Sequence, residues 1–319
     1  MSKTSYHNHT IWSDGKSTLP EMIAAATAAG LDELGISDHF ILHPAGSHDP
    51  PFSVWWDMNK NVFDSTHPQD DVSLGKLLHA YAHQFDRFDH QSSAPLTIRR
   101  GLEADFFPET FDALRSLLNE EHSGGISLGN RLDYVIGSVH YVHVPGKSAF
   151  PANYFNVDDK PELWESLGST DSERREVWNE IGRLYWVAVR ELAERGRGVY
   201  DIVGHIDLIK KFGKKYLPTT NVSQEIASAF DAIKSSGLAI ELNTAGWRKT
   251  VAEQYPSEDL IREAFKREIP MLVNSDAHHS SEVASRFEDA YRLLWNAGYR
   301  SVLRYEHHEP ISVSLEIAR

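Results

Sequence analysis

Residues 239–278 read AIELNTAGWRKTVAEQYPSEDLIREAFKREIPMLVNSDAH. Two short apolar runs, Ala239–Leu242 and Met271–Asn274, enclose a helical pattern over 257–267, and no hairpin turn joins them. The unit therefore reads as strand, helix, parallel strand. Working outward, the same unit recurs. Strands are expected at Ser5–His9, Glu33–Ser37, Leu96–Leu102, Tyr134–Val139 and Asp201–Val203. Helices are expected at about 71–90, 109–121, 173–195, 222–236 and 282–297. The first helix opens on Thr18-Leu19-Pro20-Glu21, a capping box with proline inside it, runs Ala-rich through Ala29 and closes at Gly30. The tail Arg300–Arg319 reads as two short strands with His307, His308 and Pro310 between them, not as a clear eighth unit. Seven such units predict an α/β fold, a TIM-like barrel with a parallel sheet. The stretches Leu42–Asp70 and Tyr141–Thr170 are rich in proline and look inserted, so residues 1–319 are expected to form one domain carrying two long loops near 42–70 and 141–170.

Composition narrows the function classes. The chain has 319 residues, and 46 acidic against 32 basic side chains give a net charge of −14. A length near 300 suits one α/β barrel of about 250 residues or more. The acidic balance argues against nucleic acid as partner, because phosphate neutralisation needs clustered Lys and Arg. No apolar run approaches the roughly 18 residues of a membrane span. The start, MSKTSYHNHT, has no apolar signal region, so a soluble, cytoplasmic protein is expected. With no cysteine, disulfides, thiolate metal sites and cysteine nucleophiles are all excluded. The 17 histidines are the unusual number.

They fall in a pattern. The seven strands end in His7-Asn8-His9 (with Asp14 in the loop), Ser37-Asp38-His39, Gly101-Leu102-Glu103, Gly137-Ser138-Val139-His140, Gly204-His205-Ile206-Asp207, Glu241-Leu242-Asn243 and Asn274-Ser275-Asp276-Ala277-His278. In a barrel these C-terminal ends converge on the face where active sites are built. Alternation along a strand points His7 and His9 the same way, and Asp276 and His278 share that spacing. Imidazoles and carboxylates without thiolate suit divalent zinc, manganese or iron. Eight or nine ligands exceed the needs of one ion, so two or three divalent ions are expected, with a carboxylate between two of them. Multinuclear sites of this kind perform in-line displacement at phosphorus. The other histidines, among them His67, His79, His83, His90, His122, His307 and His308, read as surface or packing residues.

In combination, His7-x-His9 with Ser13-Asp14-Gly15, Ser37-Asp38-His39, Glu103, Gly137-Ser138-Val139-His140, Gly204-His205 and Ser275-Asp276-Ala277-His278 resemble the PHP (polymerase and histidinol phosphatase) family. The resemblance spans residues 7 to 278. The segments Asp201-Ile-Val-Gly-His-Ile-Asp-Leu-Ile-Lys-Lys-Phe-Gly213 and Glu241-Leu-Asn-Thr-Ala-Gly-Trp-Arg-Lys249 are similar, more narrowly, to its histidinol-phosphatase branch. It implies a distorted (βα)7 barrel and a trinuclear metal centre. Position by position, it implies one metal on His7, His9, Glu103 and Asp276, and a second on Glu103, His140 and His205. A third would take Asp14, His39 and His278, although some members carry histidine where Asp14 stands. The implied reaction is hydrolysis of L-histidinol phosphate, a late step of histidine biosynthesis.

Three further residues are candidates for handling the ester. His43, four residues after His39, is the expected general acid for the leaving alkoxide, since imidazole titrates near 6.5. Arg248 is the expected phosphate clamp, because guanidinium matches phosphate oxygens bidentately. Lys210 and Lys211 follow His205 closely, and Lys211 is expected to bind the substrate. Acceptors for the amine and imidazole are expected from the two long loops, where Asp158 and Asp159 lie. Two alternatives remain: another small phosphate ester, or DNA ends, on the same scaffold, and a metal-loaded module without catalysis. Metal-free catalysis by Ser138 or Ser275 fails, since neither sits in a Gly-x-Ser-x-Gly elbow. Nothing in the sequence speaks to oligomeric state.

Overall fold

Seven parallel strands form the centre of the protein: β1 (Thr4–Ser5), β2 (Glu33–Ile36), β3 (Thr97–Asp105), β4 (Tyr134–Ser138), β5 (Ile202–Val203), β6 (Ala239–Asn243) and β7 (Met271–Asn274). They pair in that order, and the two-residue strand His39–Phe40 joins the end of β3 with His39 opposite Glu103. Past β1 and β7 an isolated parallel bridge links Asn8 to Ala277, where His9 N donates to Ala277 O at 2.8 Å. The sheet thereby nearly closes into the expected barrel. The structure is a computed structural model and describes residues 3–44, 80–86, 96–119, 121–122, 126–127, 129–146 and 150–317.

Period-two alternation sorts each strand into two environments. Leu34, Ile36, Leu102, Val135, Val203, Ile240, Leu242, Met271 and Val273 belong to the large apolar cluster shared with the surrounding helices. The alternate residues Tyr134, Ile136, Ile202, Ala239 and Leu272 form a second cluster with Tyr6 and Tyr305, the floor of the barrel. Continuing inward along the same strands, the next positions are Ser138, Glu241 and Asn274, all fully buried. Apolar floor and polar mouth are thus written on one face of each strand. The floor is crowded by Tyr134, whose hydroxyl donates to Tyr6 O. A Cβ on Gly35 would come 2.2 Å from Tyr134 Oη, and one on Gly101 would come 2.1 Å from its Cζ, so only glycine leaves space for the ring.

The helices are α1 (Leu19–Ala28), α2 (Phe111–Asn119), α3 (Asp171–Gly196), α4 (Ser223–Ser236), α5 (Glu258–Lys266) and α6 (Phe287–Ala297). The capping box of α1 is present: Thr18 N donates to Glu21 Oε2 at 2.7 Å. Gly30 follows the helix at φ +69, where it has no Cβ to strain. A second capping box, Thr170 with Glu173, starts α3 two residues earlier than its periodicity suggests. Along α3 the buried residues Trp178, Ile181, Tyr185, Val189 and Leu192 recur every three or four positions, an apolar stripe facing the core. No helix among the described residues is long and apolar enough to cross a membrane.

Several boundaries differ from expectation. Strand one stops at Ser5 and the chain reaches the Asn8 bridge in irregular form, whereas β3 runs on to Asp105 because His39–Phe40 pairs with its end. The last helix starts at Phe287, not 282, since Ser280–Glu282 forms a 3₁₀ turn and Arg286 adopts φ +59. The expected helix 71–90 and loop 42–70 lie mostly outside the described residues; of the helix, residues 80–83 are helical. The stretch 141–170 contains a hairpin of Tyr141–His143 with Tyr154–Asn156 and a 3₁₀ segment, Pro161–Leu167.

The tail forms the antiparallel hairpin β8 (Ser301–Glu306) and β9 (Glu309–Ser314), which closes the N-terminal end of the barrel instead of adding a unit. Tyr305 N donates to Tyr6 Oη at 3.2 Å, and Arg304 reaches Glu33 at 2.8 Å. His308 bonds Asp201 and Gly129 O, a packing role as expected. His67, His79 and His90 lie outside the described residues.

Candidate metal centre

Glu103 is the centre of the polar mouth and is fully buried. On one side its Oε2 lies 3.0 Å from His7 Nε2, 3.4 Å from His9 Nε2 and 2.8 Å from His39 Nδ1. On the other side Oε1 lies 2.9 Å from His205 Nε2 and 3.6 Å from His140 Nε2, and accepts from Ser138 Oγ at 2.6 Å. One carboxylate therefore separates two sets of imidazoles. Asp276 Oδ1 adds to the first set, at 3.2 Å from His9 Nε2 and 3.4 Å from His278 Nδ1. His278 Nε2 in turn lies 3.2 Å from Asp14 Oδ2, and His39 Nε2 lies 3.6 Å from Asp14 Oδ1.

All nine expected ligands meet here, in four overlapping groups: His9-Asp14-His39-His278, His7-Glu103-His205, His7-His9-Asp276 and His39-Glu103-His140. His7 and His9 converge although they do not lie in a regular strand. The Asn8–Ala277 bridge between them keeps the alternation.

The donor set fits divalent cations. Ligand atoms each about 2 Å from one zinc lie roughly 3.3 Å apart, which is the spacing seen. His7 Nε2, His9 Nε2 and Glu103 Oε2 are buried and make no hydrogen bond, despite their close approaches. Such lone pairs converge without a proton aligned between them. Electrostatics agree. Burial opposes charge on His7, yet Glu103, Glu241 and Asp276 outweigh it and lift the imidazole well above its usual value. Against the same burial, Glu103 and Asp14 push His39 up to about 10, and Asp105, Asp158 and Glu103 push His140 up to about 9. His9, buried and stacked 4.3 and 4.2 Å from the rings of His39 and His278, falls instead to about 3. Burial would raise the Glu103 carboxyl, but His7, His39 and His140 hold it well below the usual range. The carboxylates here demand positive charge, which protons on imidazole or cations between the groups can supply.

A second layer orients these ligands, and it was not singled out in the sequence. Glu241 sits 3.0 Å from His7 Nδ1 through both oxygens and accepts from His205 N (2.7 Å), Asn243 Nδ2 (2.8 Å) and Asn274 Nδ2 (2.7 Å). Asp105 bonds His140 Nδ1 at 2.6 Å. Each carboxylate takes one ring nitrogen and turns the other toward Glu103, the arrangement that fixes tautomer and basicity in metal sites. Asp38 does the same for a loop: it accepts from Thr10 N, Thr10 Oγ1 and Ser13 Oγ, flanking His9 and Asp14. The sequence shows part of this: Glu241 and Asp105 are carboxylates near strand ends, Asp105 two residues past Glu103, but which imidazole each one meets is set by strand register. Glu241→Gln should lower metal affinity and turnover by about 10–100-fold; metal titration of the variant checks this, and unaltered affinity would contradict the orienting role.

The three ester-handling candidates fare differently. His43 is buried in an aromatic cage, its ring 5.1 Å from Phe107, 5.0 Å from Tyr141 and 5.6 Å from Tyr154, and burial lowers its pKa. Arg248 Nη2 donates to Ser275 O at 2.8 Å and Asp276 O at 3.0 Å, and its Nε lies 3.4 Å from Glu282. The guanidinium thus braces the Asp276 turn, where φ is +48, while Nη1 is buried without a hydrogen bond. Lys211 Nζ is bound to Asp158, through the carboxylate at 2.9 Å and also through the carbonyl. Lys210 is bound to Asp207 and Glu253.

The PHP domain family profile matches residues 5–245. Over 308 residues the chain is 33% identical to a protein of Deinococcus radiodurans named probable histidinol-phosphatase, covering 95% of this chain and 97% of that one. Over 295 residues it is 26% identical to the histidinol-phosphatase of Bacillus subtilis strain 168, covering 90% and 98%. The fold is shared with the histidinol phosphate phosphatase of Lactococcus lactis, solved with zinc, L-histidinol and phosphate. The TM-score is 0.68 at 19% identity, over 97% of this chain and 99% of that one.

Proposed function

The chain belongs to the PHP domain family, and from that premise we propose that it is a metal-dependent phosphoric monoester hydrolase that converts L-histidinol phosphate to L-histidinol and phosphate. The observation that carries the reading is the convergence of nine imidazole and carboxylate side chains, Glu103 among them, at the mouth of the barrel, in a chain similar along almost its whole length to histidinol-phosphatases.

His7, His9, Glu103 and Asp276 would hold one divalent ion, Glu103, His140 and His205 a second, and Asp14, His39 and His278 a third. Zinc, present in the Lactococcus lactis neighbour, fits this nitrogen and oxygen set, as do manganese and iron. When bound, such ions neutralise charge on phosphoryl oxygens and acidify water for attack at phosphorus. The chain's own residues do the rest. Glu103 presents Oε2 to His7, His9 and His39 and Oε1 to His205 and His140, so it would be the carboxylate shared between the two imidazole sets. Arg248, anchored through Nη2, has Nη1 left for a phosphate oxygen. The charge of Lys211 is spent on Asp158, so its expected part in phosphate binding gives way to holding that carboxylate.

His43 is the proposed proton donor to the leaving alkoxide. Burial lowers its pKa, so the protonated form is lost as pH rises through a value below 6.5. If His43 donates, kcat should fall on the alkaline side of that value, and His43→Gln should flatten this limb and cut turnover while metal content is kept. An unchanged pH profile in the variant removes His43 from the mechanism.

The function is tested by phosphate release from histidinol phosphate against a panel of small phosphate esters, after metal analysis of the purified protein. The expected result is a preference for histidinol phosphate. A preference for another ester by orders of magnitude would refute the substrate and leave the phosphoesterase standing.

A further inference from the structure

The tail hairpin turns on two histidines. Glu306 of β8 stands opposite Glu309 of β9, so His307 and His308 alone make the turn, at φ +50 and +65. Two-residue turns with both central residues left-handed ordinarily carry Asn and Gly, which take that backbone at little cost. Imidazoles held there call for a reason outside the backbone.

His308 supplies one, at the N-terminal end of the barrel and away from the metal centre. Its Nδ1 lies 2.8 Å from Asp201 Oδ2, and its Nε2 lies 2.8 Å from Gly129 O. A backbone carbonyl only accepts, and Asp201 Oδ2 already accepts from Val135 N at 2.7 Å. A neutral imidazole carries one N–H and would aim its other lone pair at an oxygen. Only the imidazolium donates to both.

The charged groups around it favour the same state. Asp133, just before β4, accepts from His307 N through Oδ1 at 3.2 Å, and its carbonyl accepts from His308 N at 2.7 Å. Arg99 lies 3.4 Å from Asp133 but is shared with Glu33 and Glu306, and Arg304 is held by the same two glutamates. Arg131, in the turn with Gly129, is drawn to Asp86. His307 is exposed and 3.9 Å from Asp133, and Glu309 is exposed at the start of β9. Burial opposes charge on His308, yet Asp201, the Gly129 carbonyl and Asp133 outweigh it and raise its pKa above 6.5.

We propose that the β8–β9 turn is a proton-dependent latch, in which the His308 imidazolium fastens the tail hairpin to the starts of β4 and β5 and loss of its proton loosens the hairpin. The hairpin carries Tyr305, which packs into the barrel floor and donates its N–H to Tyr6, the residue before His7. The latch therefore keeps the floor closed beneath the metal centre. Because the folded-state pKa is raised, the stabilisation is complete below about 6.5, the value of an unperturbed imidazole, and is lost as pH rises through the folded-state value.

Two measurements test the latch. The first follows the His308 ring by NMR in histidine-labelled protein, with His308→Asn identifying the signal. Both ring nitrogens should be protonated below about 6.5, and the midpoint should lie above it. A midpoint at or below that value would overturn the latch. The second compares the melting temperatures of wild type and His308→Asn across pH, at matched metal content. Asparagine accepts the left-handed backbone, so the variant should fold. Wild type should melt about 2 °C higher on the acid side, the shift expected from one charge-assisted bond in a chain of this size. The gap should close as pH rises through the His308 midpoint, and amide exchange in β8 and β9 should accelerate over the same interval relative to the variant. A gap of constant size at every pH, or a variant more stable than wild type on the acid side, would overturn the latch and leave His308 a packing residue.

Discussion

Glu103→Gln should lower kcat/KM by at least about 10³-fold, roughly 4 kcal/mol of transition-state stabilisation, and should strip most of the metal. Both oxygens of Glu103 are in use, Oε2 toward His7, His9 and His39 and Oε1 toward His205, His140 and Ser138. Glutamine keeps the shape but replaces one oxygen by an amide that donates, aimed at imidazole nitrogens that themselves offer lone pairs. It also removes the negative charge that, after burial, dominates the upward shift of both His7 and His39. Loss of one oxygen would empty one side of the site, and loss of the charge would weaken both. Metal analysis and steady-state kinetics on histidinol phosphate decide the matter. A variant that retains its metal and stays within tenfold of wild type would show that Glu103 does not bridge.

Stripping divalent metal with a chelator should abolish phosphate release, and adding zinc back should restore it. The melting temperature should fall as well. A cation that binds only the folded chain contributes RT ln(1 + [M]/Kd), about 4 kcal/mol at a thousandfold excess over Kd. The physical reason lies in Glu103, Glu241 and Asp276, carboxylates crowded into one mouth, two of them fully buried, that need positive charge. Protons compete for the same nitrogens, so metal uptake should weaken as pH falls. Calorimetry of the stripped and reloaded protein, run with the activity assay, measures both effects. Full activity in verifiably metal-free protein would falsify the metal-dependent reading.

Local chemistry made most of the barrel legible. A strand signals itself by short apolar runs, and a helix by capping boxes and a three-to-four-residue stripe, so β6, α5 and β7 could be read from residues 239–278 alone. The nine proposed ligands were legible for the same reason: each ends a strand or follows one, and parallel strands of a barrel end on one face. What local reading misplaced were the ends. The 3₁₀ turn before α6 and the extension of β3 to Asp105 depend on which neighbours pair, not on propensity.

Order along the chain thus dictated the parallel barrel and the cast of proposed metal ligands, because alternation and strand ends are properties of a few adjacent residues. The partners of those ligands came from folding. Glu241 meets His7 across 234 positions, Asp105 meets His140 through the β3–β4 register that sets Asp105 against Ser138, and Arg248 is turned onto the carbonyls of Ser275 and Asp276. Such contacts are set by strand register and loop course to within an ångström, and neighbouring residues along the chain carry no record of them.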